Sequence, residues 1–548
     1  MSLLYNPGKE PVVPAISVSA LFSISCLGHM SEIVVNQKEK DFTRREMKKD
    51  QISMARTMLF LGIKKGDIIV VSNARPTYEN IVLFLAANRI GAIVSYLDES
   101  TGKEILLHDL KMFQAALLVT YKELDLGDEI RLYAKEKMKG ILTFDGTSSM
   151  DGATIGDKSV AQIAAEYKRR VPGNFFSAEN PALITWTSGS TSGPKPVVFT
   201  NKNLVSGAIF NKTASGVKMW DKKIHTWMQF VKLNCPYGFW VSTMSPILGG
   251  GKVILTPDIN PENMDYYLAK NPDTIFGVPA LVELFEKYLS PDVNLDHVVM
   301  FACGGDRLDD AVAEKAIKLF EQHGSSVTIC NGYGLTEVLG LVSTSVGQTY
   351  HPGTVGIIPA GVYVLVCDPE TGRELSYDEV GMIYVGGRHL FKEYYHNPEL
   401  TAEKVVTRDG RRYMITGDLG AVNKEGFVTL VGRSRFFINN LPAKVYYDYI
   451  HTAVMQSEFV KACQIVKGPD SKIEYAPYAY IVLNDGVPAD EATKKSIIET
   501  ASKPFYVGKD FILLKDYEIP RKIIFMEKLP VNRVTGKVDF LLLEKMAN

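Results

Sequence analysis

The chain has 548 residues, 46% hydrophobic and 22% charged, with 61 basic against 62 acidic side chains and a formal net charge of −1. That length exceeds one hydrophobic core and points to about 3–4 domains. The charge balance excludes an electrostatic design for nucleic acid or for an anionic membrane surface. Six scattered cysteines without a CxxC pair, and nine dispersed histidines, argue against a zinc site and predict buried free thiols in a reducing compartment.

In chain order, residues 12–30 are apolar but lack the basic flank and unbroken apolar core of a signal peptide, so they read as a helix or strand packed on the domain. No run of about 18 apolar residues occurs, which predicts no membrane span and a cytoplasmic protein. Residues 67–71 read as a strand, 77–90 as a helix ended by Gly91, and 115–119 as another strand. Strands at 252–255, 274–278 and 298–302 follow at helical spacings, and such βα alternation implies mainly parallel sheets covered by helices. From about residue 345 the pattern changes to short apolar runs (362–367, 381–385, 427–431) with turns between them, the signature of a small β-rich subdomain. The lysine-rich remainder carries a helix near 490–501 and strands at 479–483 and 522–525.

The expected fold is therefore α/β. A large N-terminal domain, residues 1–432, combines two βαβ-type sheet subdomains with a small β-barrel-like subdomain at about 345–432. A small α+β domain occupies 433–548.

Between the apolar runs 182–186 and 197–199 lies Thr187-Ser188-Gly189-Ser190-Thr191-Ser192-Gly193-Pro194-Lys195, with five hydroxyls, two glycines and a lysine in nine residues. Glycines let backbone amides converge, hydroxyls add donors and Lys195 adds positive charge, which is what a polyphosphate needs. A Ser/Gly-rich surface loop is the bland alternative, but the flanking strands pin both ends of this one. It is not a Walker A loop, because three residues rather than four separate Gly189 from Gly193 and a strand follows instead of a helix.

Four further segments fit a nucleotide. Asn331-Gly332-Tyr333-Gly334-Leu335-Thr336-Glu337 follows the apolar run 327–330, placing it at the carboxyl end of a strand, where α/β sheets bind ligands. Its tyrosine offers a ring face, its threonine a hydroxyl and its glutamate a carboxylate suited to Mg²⁺. Thr416-Gly417-Asp418 and Gly432-Arg433 supply an acid and a base for ribose hydroxyls. Leu529–Lys537 ends in a glycine-lysine turn. Each segment alone is weak; together and in this order they are specific.

In that order of motifs the chain resembles the adenylate-forming superfamily, which includes acyl- and aryl-CoA synthetases, firefly luciferase and the adenylation domains of nonribosomal peptide synthetases. The resemblance runs from about Asp41 to Lys537. It implies an N-terminal domain with a mobile C-terminal lid and two half-reactions: a carboxylate attacks the α-phosphate of ATP-Mg²⁺ to give acyl-AMP and pyrophosphate, then a thiol displaces AMP. Under this resemblance Thr187, Ser188, Gly189, Ser190, Thr191, Gly193 and Lys195 hold the β- and γ-phosphates. Thr336 binds the α-phosphate and Glu337 the Mg²⁺. Asn331, Gly332 and Tyr333 hold adenine with Gly304, Gly305 and Asp306 along its edge, Asp418 and Arg433 fix the ribose, and Lys537 is the catalytic lysine.

The hinge departs from the family pattern. Arg435 stands at the hinge position, Asn439 replaces the usual lysine, Pro442 replaces a glycine, and tyrosines (Tyr446, Tyr449) stand at following acidic positions. Because that loop lines the thiol channel in the family, the acceptor stays open between coenzyme A and the phosphopantetheine arm of an acyl carrier protein. Members that activate amino acids carry an aspartate in the segment matching 235–240; this chain has none, and an unpaired buried ammonium costs several kcal/mol in order of magnitude. A carboxylate without an α-amino group is expected, with Tyr237, Phe239, Trp240, Val278 and Cys303 as pocket walls. The sequence thus predicts an acid–thiol ligase using ATP, Mg²⁺ and coenzyme A. The alternatives are a carrier-loading acyl-AMP synthetase, and a nucleotide-binding protein without catalysis. Glu337, Asp418 and Lys537 together speak against the last.

Overall fold

The computed structural model describes every residue except 1–9, 99–100, 147–151, 188–193, 215–224, 261, 307, 346–350, 434–436, 441–442, 472–473, 508–509, 532–537 and 548. Two large sheets dominate. The first has eight strands, and its six central ones (Ile33–Gln37, Lys252–Leu255, Thr226–Gln229, Thr274–Gly277, Met300–Cys303, Thr328–Tyr333) are all mutually parallel. Short antiparallel strands, Lys40–Thr43 and Ser343–Thr344, finish its two edges. The second has nine strands with a parallel centre (Pro181–Trp186, Ile93–Tyr96, Ile68–Val71, Leu117–Tyr121, Ile141–Phe144).

The expected strands at 67–71, 252–255, 274–278, 362–367 and 522–525 appear within a residue of their predicted bounds. The one at 115–119 lies two residues later, at Leu117–Tyr121, and the one at 479–483 is the end of a longer strand, Glu474–Leu483. The segment 12–30 forms the helix Val18–Ser25, capped by the Ser17 side chain on the Ala20 amide. The helix Tyr78–Ile90 ends at Gly91 in the left-handed region, φ 82°, where glycine carries no steric cost. All of this helix except Arg89 is buried, Glu79, Asn80 and Asn88 included, so it is covered on every side rather than amphipathic.

The β-rich segment forms a five-stranded antiparallel sheet of Val362–Cys367, Gly381–Gly387, Arg411–Val422, Val405–Arg408 and Val428–Arg433. It is stitched to the nine-stranded sheet by Glu393–Tyr394, which pairs with Pro196–Thr200. One core runs through both large sheets and this third one, from Ile16 to Val428. Residues from Tyr447 onward build a separate cluster around Ile450, Ile465, Ile481 and Ile497. That cluster rests on the three-stranded sheet Val460–Asp470, Glu474–Leu483, Lys522–Phe525.

Candidate active site

Strands Pro181–Trp186 and Pro196–Thr200 pair antiparallel, with Trp186 opposite Pro196. Thr187 and Lys195 therefore close the base of a hairpin loop. The Thr187 amide donates to the Lys195 carbonyl at 3.0 Å, and the Lys195 amide donates to Thr187 Oγ1 at 3.0 Å. Ser188, Gly189, Ser190, Thr191 and Gly193 lie outside the described residues.

The outgoing strand leads directly to the carboxylate expected to bind metal. Val197 pairs with Tyr394, and the Tyr394 hydroxyl donates to Glu337 Oε1 at 2.6 Å. Glu337 is 7% exposed, and its carbonyl accepts the Phe391 amide at 2.8 Å. Burial and the Glu337 charge push the Tyr394 phenol well above its ordinary range, so it stays a donor that orients the carboxylate. A buried, pre-oriented carboxylate is the kind of single protein ligand that Mg²⁺ accepts beside phosphate oxygens, so the donor set fits the ion. Thr336, half-buried, opens the 3₁₀ turn Thr336–Val338 that presents Glu337. After it Leu339 (φ 52°) and Gly340 (φ 78°) both turn left-handed, folding the loop back so that the Val342 amide reaches the Tyr333 carbonyl at 2.8 Å.

The strand before that loop runs to Tyr333, three residues further than its apolar sequence run, because Gly332 and Tyr333 pair with Thr344 and Ser343. Tyr333 donates to Asp418 Oδ2 at 2.5 Å, and Asp418 lies directly opposite Arg433 in an antiparallel register. The structure so unites the adenine and ribose candidates. Asn331 is held from three sides: its amide donates to Ser345 Oγ (2.7 Å), its Nδ2 to the Thr354 carbonyl (3.3 Å), and its Oδ1 accepts the Gly332 amide (2.8 Å). Asn331 also sits beside Cys303 in register, which brings Gly304 and the exposed Gly305 and Asp306 to the same sheet end.

Gly304 is packed against the Tyr237 ring, where a Cβ would come within 3.0 Å. The Tyr237 hydroxyl donates to the carbonyls of Gly277 (3.0 Å) and Ala302 (2.7 Å). A Cβ on Gly305 would touch Val278 at 3.6 Å and Tyr237 at 3.8 Å. Tyr237 and Val278 thus face the glycine pair.

The other three expected pocket walls do not. Phe239 and Trp240 are fully buried in a π-helix, Tyr237–Met244, and pack on Phe84 and Tyr96. Cys303 sits in the helix-covered core with Leu281, Phe301 and Leu308, where burial and Asp306 push its thiol up to about 12. These side chains are core because the π-helix and the strand turn them inward. Arg435 and Lys537 lie outside the described residues.

Sequence reasoning missed Tyr394, and it missed Asp98 as well. Asp98, at the carboxyl end of Ile93–Tyr96, is an acid beside the segment read as acid-free. Asn234 Nδ2 reaches it at 3.2 Å and Lys232 Nζ at 3.1 Å, so its charge is already neutralised.

This fold and this cluster define an adenylate-forming enzyme: the chain belongs to the AMP-binding enzyme family, whose model matches residues 23–395. Among known proteins it is similar to the long-chain-fatty-acid–CoA ligase of Salmonella typhimurium, 27% identical over 87% of this chain and 85% of that one. It is also similar to luciferin 4-monooxygenase of Photuris pensylvanica, 24% identical over 100% of this chain and 98% of that one. The ATP-bound structure of MatB from Rhodopseudomonas palustris superposes with a TM-score of 0.82 at 22% identity, covering 96% of this chain and 98% of that one. No helix among the described residues is long and apolar enough to cross a membrane.

Proposed function

We propose that the protein activates a carboxylic acid with ATP to an acyl-adenylate, releasing pyrophosphate, and passes the acyl group to the thiol of coenzyme A. The observation that carries this reading is the path from Thr187 and Lys195 at the hairpin base through Val197 and Tyr394, which joins that base to the buried Glu337 carboxylate. Thr187, Lys195 and the loop between them take the β- and γ-phosphates, and Thr336 takes the α-phosphate. Tyr333 and Asn331 take adenine, and Asp418 with Arg433 takes the ribose. Mg²⁺, held by Glu337, would neutralise phosphate charge. Since such transfer is catalysed mainly by positioning and charge neutralisation, the buried hydrogen bonds on Glu337 and Asp418 matter as much as the charges.

Residues 433–548 act as a lid that brings Lys537 to the α-phosphate for the first step, which fits the separate core of the C-terminal cluster. The acid presents a tail without an α-amino group, because Asp98 is committed to Lys232. Six cysteines that form no disulfide suit a reducing, cytoplasmic setting. A panel of carboxylic acids tested for ATP-dependent pyrophosphate release, with coenzyme A then supplied, checks the assignment. Pyrophosphate release with an acid and thioester only with coenzyme A is expected; release without any acid dependence would overturn it.

A further inference from the structure

A cavity of about 430 Å³ opens at Thr200, the end of the strand Pro196–Thr200 remote from the hairpin loop. Along a strand that end lies about 15 Å from the loop. Five cations line the cavity, Lys202, Arg388, Lys392, Arg411 and Arg412. Two carboxylates line it with them, Glu10 and Glu179, and Glu393 from outside the lining pairs with Lys392 at 3.2 Å. The cavity already holds one anion of the chain's own, since the Glu10 carboxylate pairs with Arg388 Nε at 2.8 Å and accepts from the Tyr363 hydroxyl at 2.7 Å. Lys202 pairs with Glu179 at 3.0 Å.

Arg411 and Arg412 are different. The Arg411 guanidinium lies 4.3 Å over the Tyr363 ring. Arg412 donates to two neutral acceptors, the carbonyls of Phe391 (3.2 Å) and Lys392 (2.8 Å). Among the described residues neither forms an ion pair with a carboxylate. Desolvation of the Arg412 guanidinium lowers it from its ordinary value, with the Glu393 charge partly opposing.

We propose that this groove is a second anion site, built for a small phosphate-bearing molecule and distinct from the residues assigned to ATP. Planar guanidinium forks match phosphate oxygens two at a time, and the volume suits a small molecule. The wall of the groove is the segment Arg388 to Lys392. Asn203 Nδ2 donates to the carbonyls of Arg388 (2.9 Å) and Leu390 (2.7 Å), while Arg412 holds the next two. The Phe391 amide on this segment holds the Glu337 carbonyl, and Tyr394 follows two residues beyond Lys392. An anion that draws Arg412 off those carbonyls slackens the support of Glu337; only this consequence rests on the metal role of Glu337.

The pyrophosphate and AMP of the proposed reaction both carry the required phosphate chemistry. The test is phenylglyoxal modification of the full chain, with the rates at Arg388, Arg411 and Arg412 read by peptide mass spectrometry. Millimolar inorganic pyrophosphate or AMP should slow modification of Arg411 about tenfold, and whichever protects identifies the source. Protection should survive Lys195→Ala, which weakens the ATP phosphate loop, and fall in Lys392→Glu and in Lys202→Glu. Equal protection by sodium chloride at matched ionic strength, or none by either anion, overturns the proposal. So does protection that disappears with Lys195→Ala and persists in both charge reversals. Because these rates are read without turnover, failure here leaves the ligase reading intact.

Discussion

Glu337 and Tyr394 form a unit in which one residue carries charge and the other aims it. Glu337→Gln keeps the shape and removes the charge, so acid-dependent ATP–pyrophosphate exchange should fall by an order of magnitude or more at limiting Mg²⁺ while the protein stays folded. Tyr394→Phe removes one hydrogen bond to a charged group, worth about 1.5–3 kcal/mol. It should raise the Mg²⁺ concentration needed for half-maximal exchange and change saturated turnover less. Identical Mg²⁺ titrations for wild type and both variants would reject the assignment. His389 gives a prediction of another kind. Fully buried, with Nε2 against the Leu341 carbonyl at 2.9 Å, it is pushed down to about 4 by desolvation. Its unfolded pKa is about 6.5, so between these values the unfolded chain binds the extra proton and stability falls as pH drops. Urea unfolding at pH 7 and pH 5 should show a loss of about 2 kcal/mol that His389→Gln lacks. An unchanged difference between the two pH values in the variant would count against it.

At the scale of elements, the parallel sheets were legible because their strands are continuous apolar runs bounded by glycine and helix spacing. The run 252–255 is buried at three of four positions and was placed to the residue. The functional turns were less legible, because tertiary pairing sets them. Tyr333 is in a strand only because Ser343 and Thr344 come back to meet it. Phe239 and Trp240 read equally well as pocket or core until a π-helix turns them inward. Tyr394 carries no sequence signal, since its role arises from a partner 57 positions away. Gly356 tests the return of the loop beyond Tyr333. It sits at φ 87° and a Cβ there would fall 2.1 Å from the Thr344 carbonyl carbon, beside the bridge between Thr344 and Ile357. Gly356→Ala should cost about 3 kcal/mol or more. Gly28→Ala, at φ 79° in open space, should cost only about 1–2 kcal/mol. Chemical denaturation of the two variants should separate them, and equal midpoints would show that the loop return bears no strain.

For the whole molecule, the question is how the C-terminal cluster meets the rest. One described contact is His451 Nε2 with Asp309 Oδ2 at 3.9 Å, while Cys463 Sγ lies 3.2 Å from the other ring nitrogen. A part-exposed pair is worth about 1 kcal/mol or less, which holds one arrangement without locking it. Under the lid reading, Lys537→Ala should abolish acyl-AMP formation yet still convert supplied acyl-AMP to thioester. Arg435→Pro, by restricting a backbone dihedral at the hinge, should slow the thiol step more than adenylation. Single-turnover assays of each half-reaction decide this, and equal damage to both steps by both changes would reject a moving lid. Asp309→Ala should shift the ratio of the two rates by less than about fivefold.

The clamp on residues 388–392 also bears on how this protein can be recombined with its relatives. Four successive stretches of backbone there are held by Asn203, from the nine-stranded sheet's side, and by Arg412, from the antiparallel sheet, while the Lys392 amide reaches Val198 and the Tyr395 amide reaches Pro196. A chimera whose crossover falls between Asn203 and Arg412 imports carbonyls without their donors, or donors without their carbonyls. The seam that tolerates exchange lies instead beyond Val428, where the shared core ends, so a graftable N-terminal part of this enzyme is indivisible across all three of its sheets.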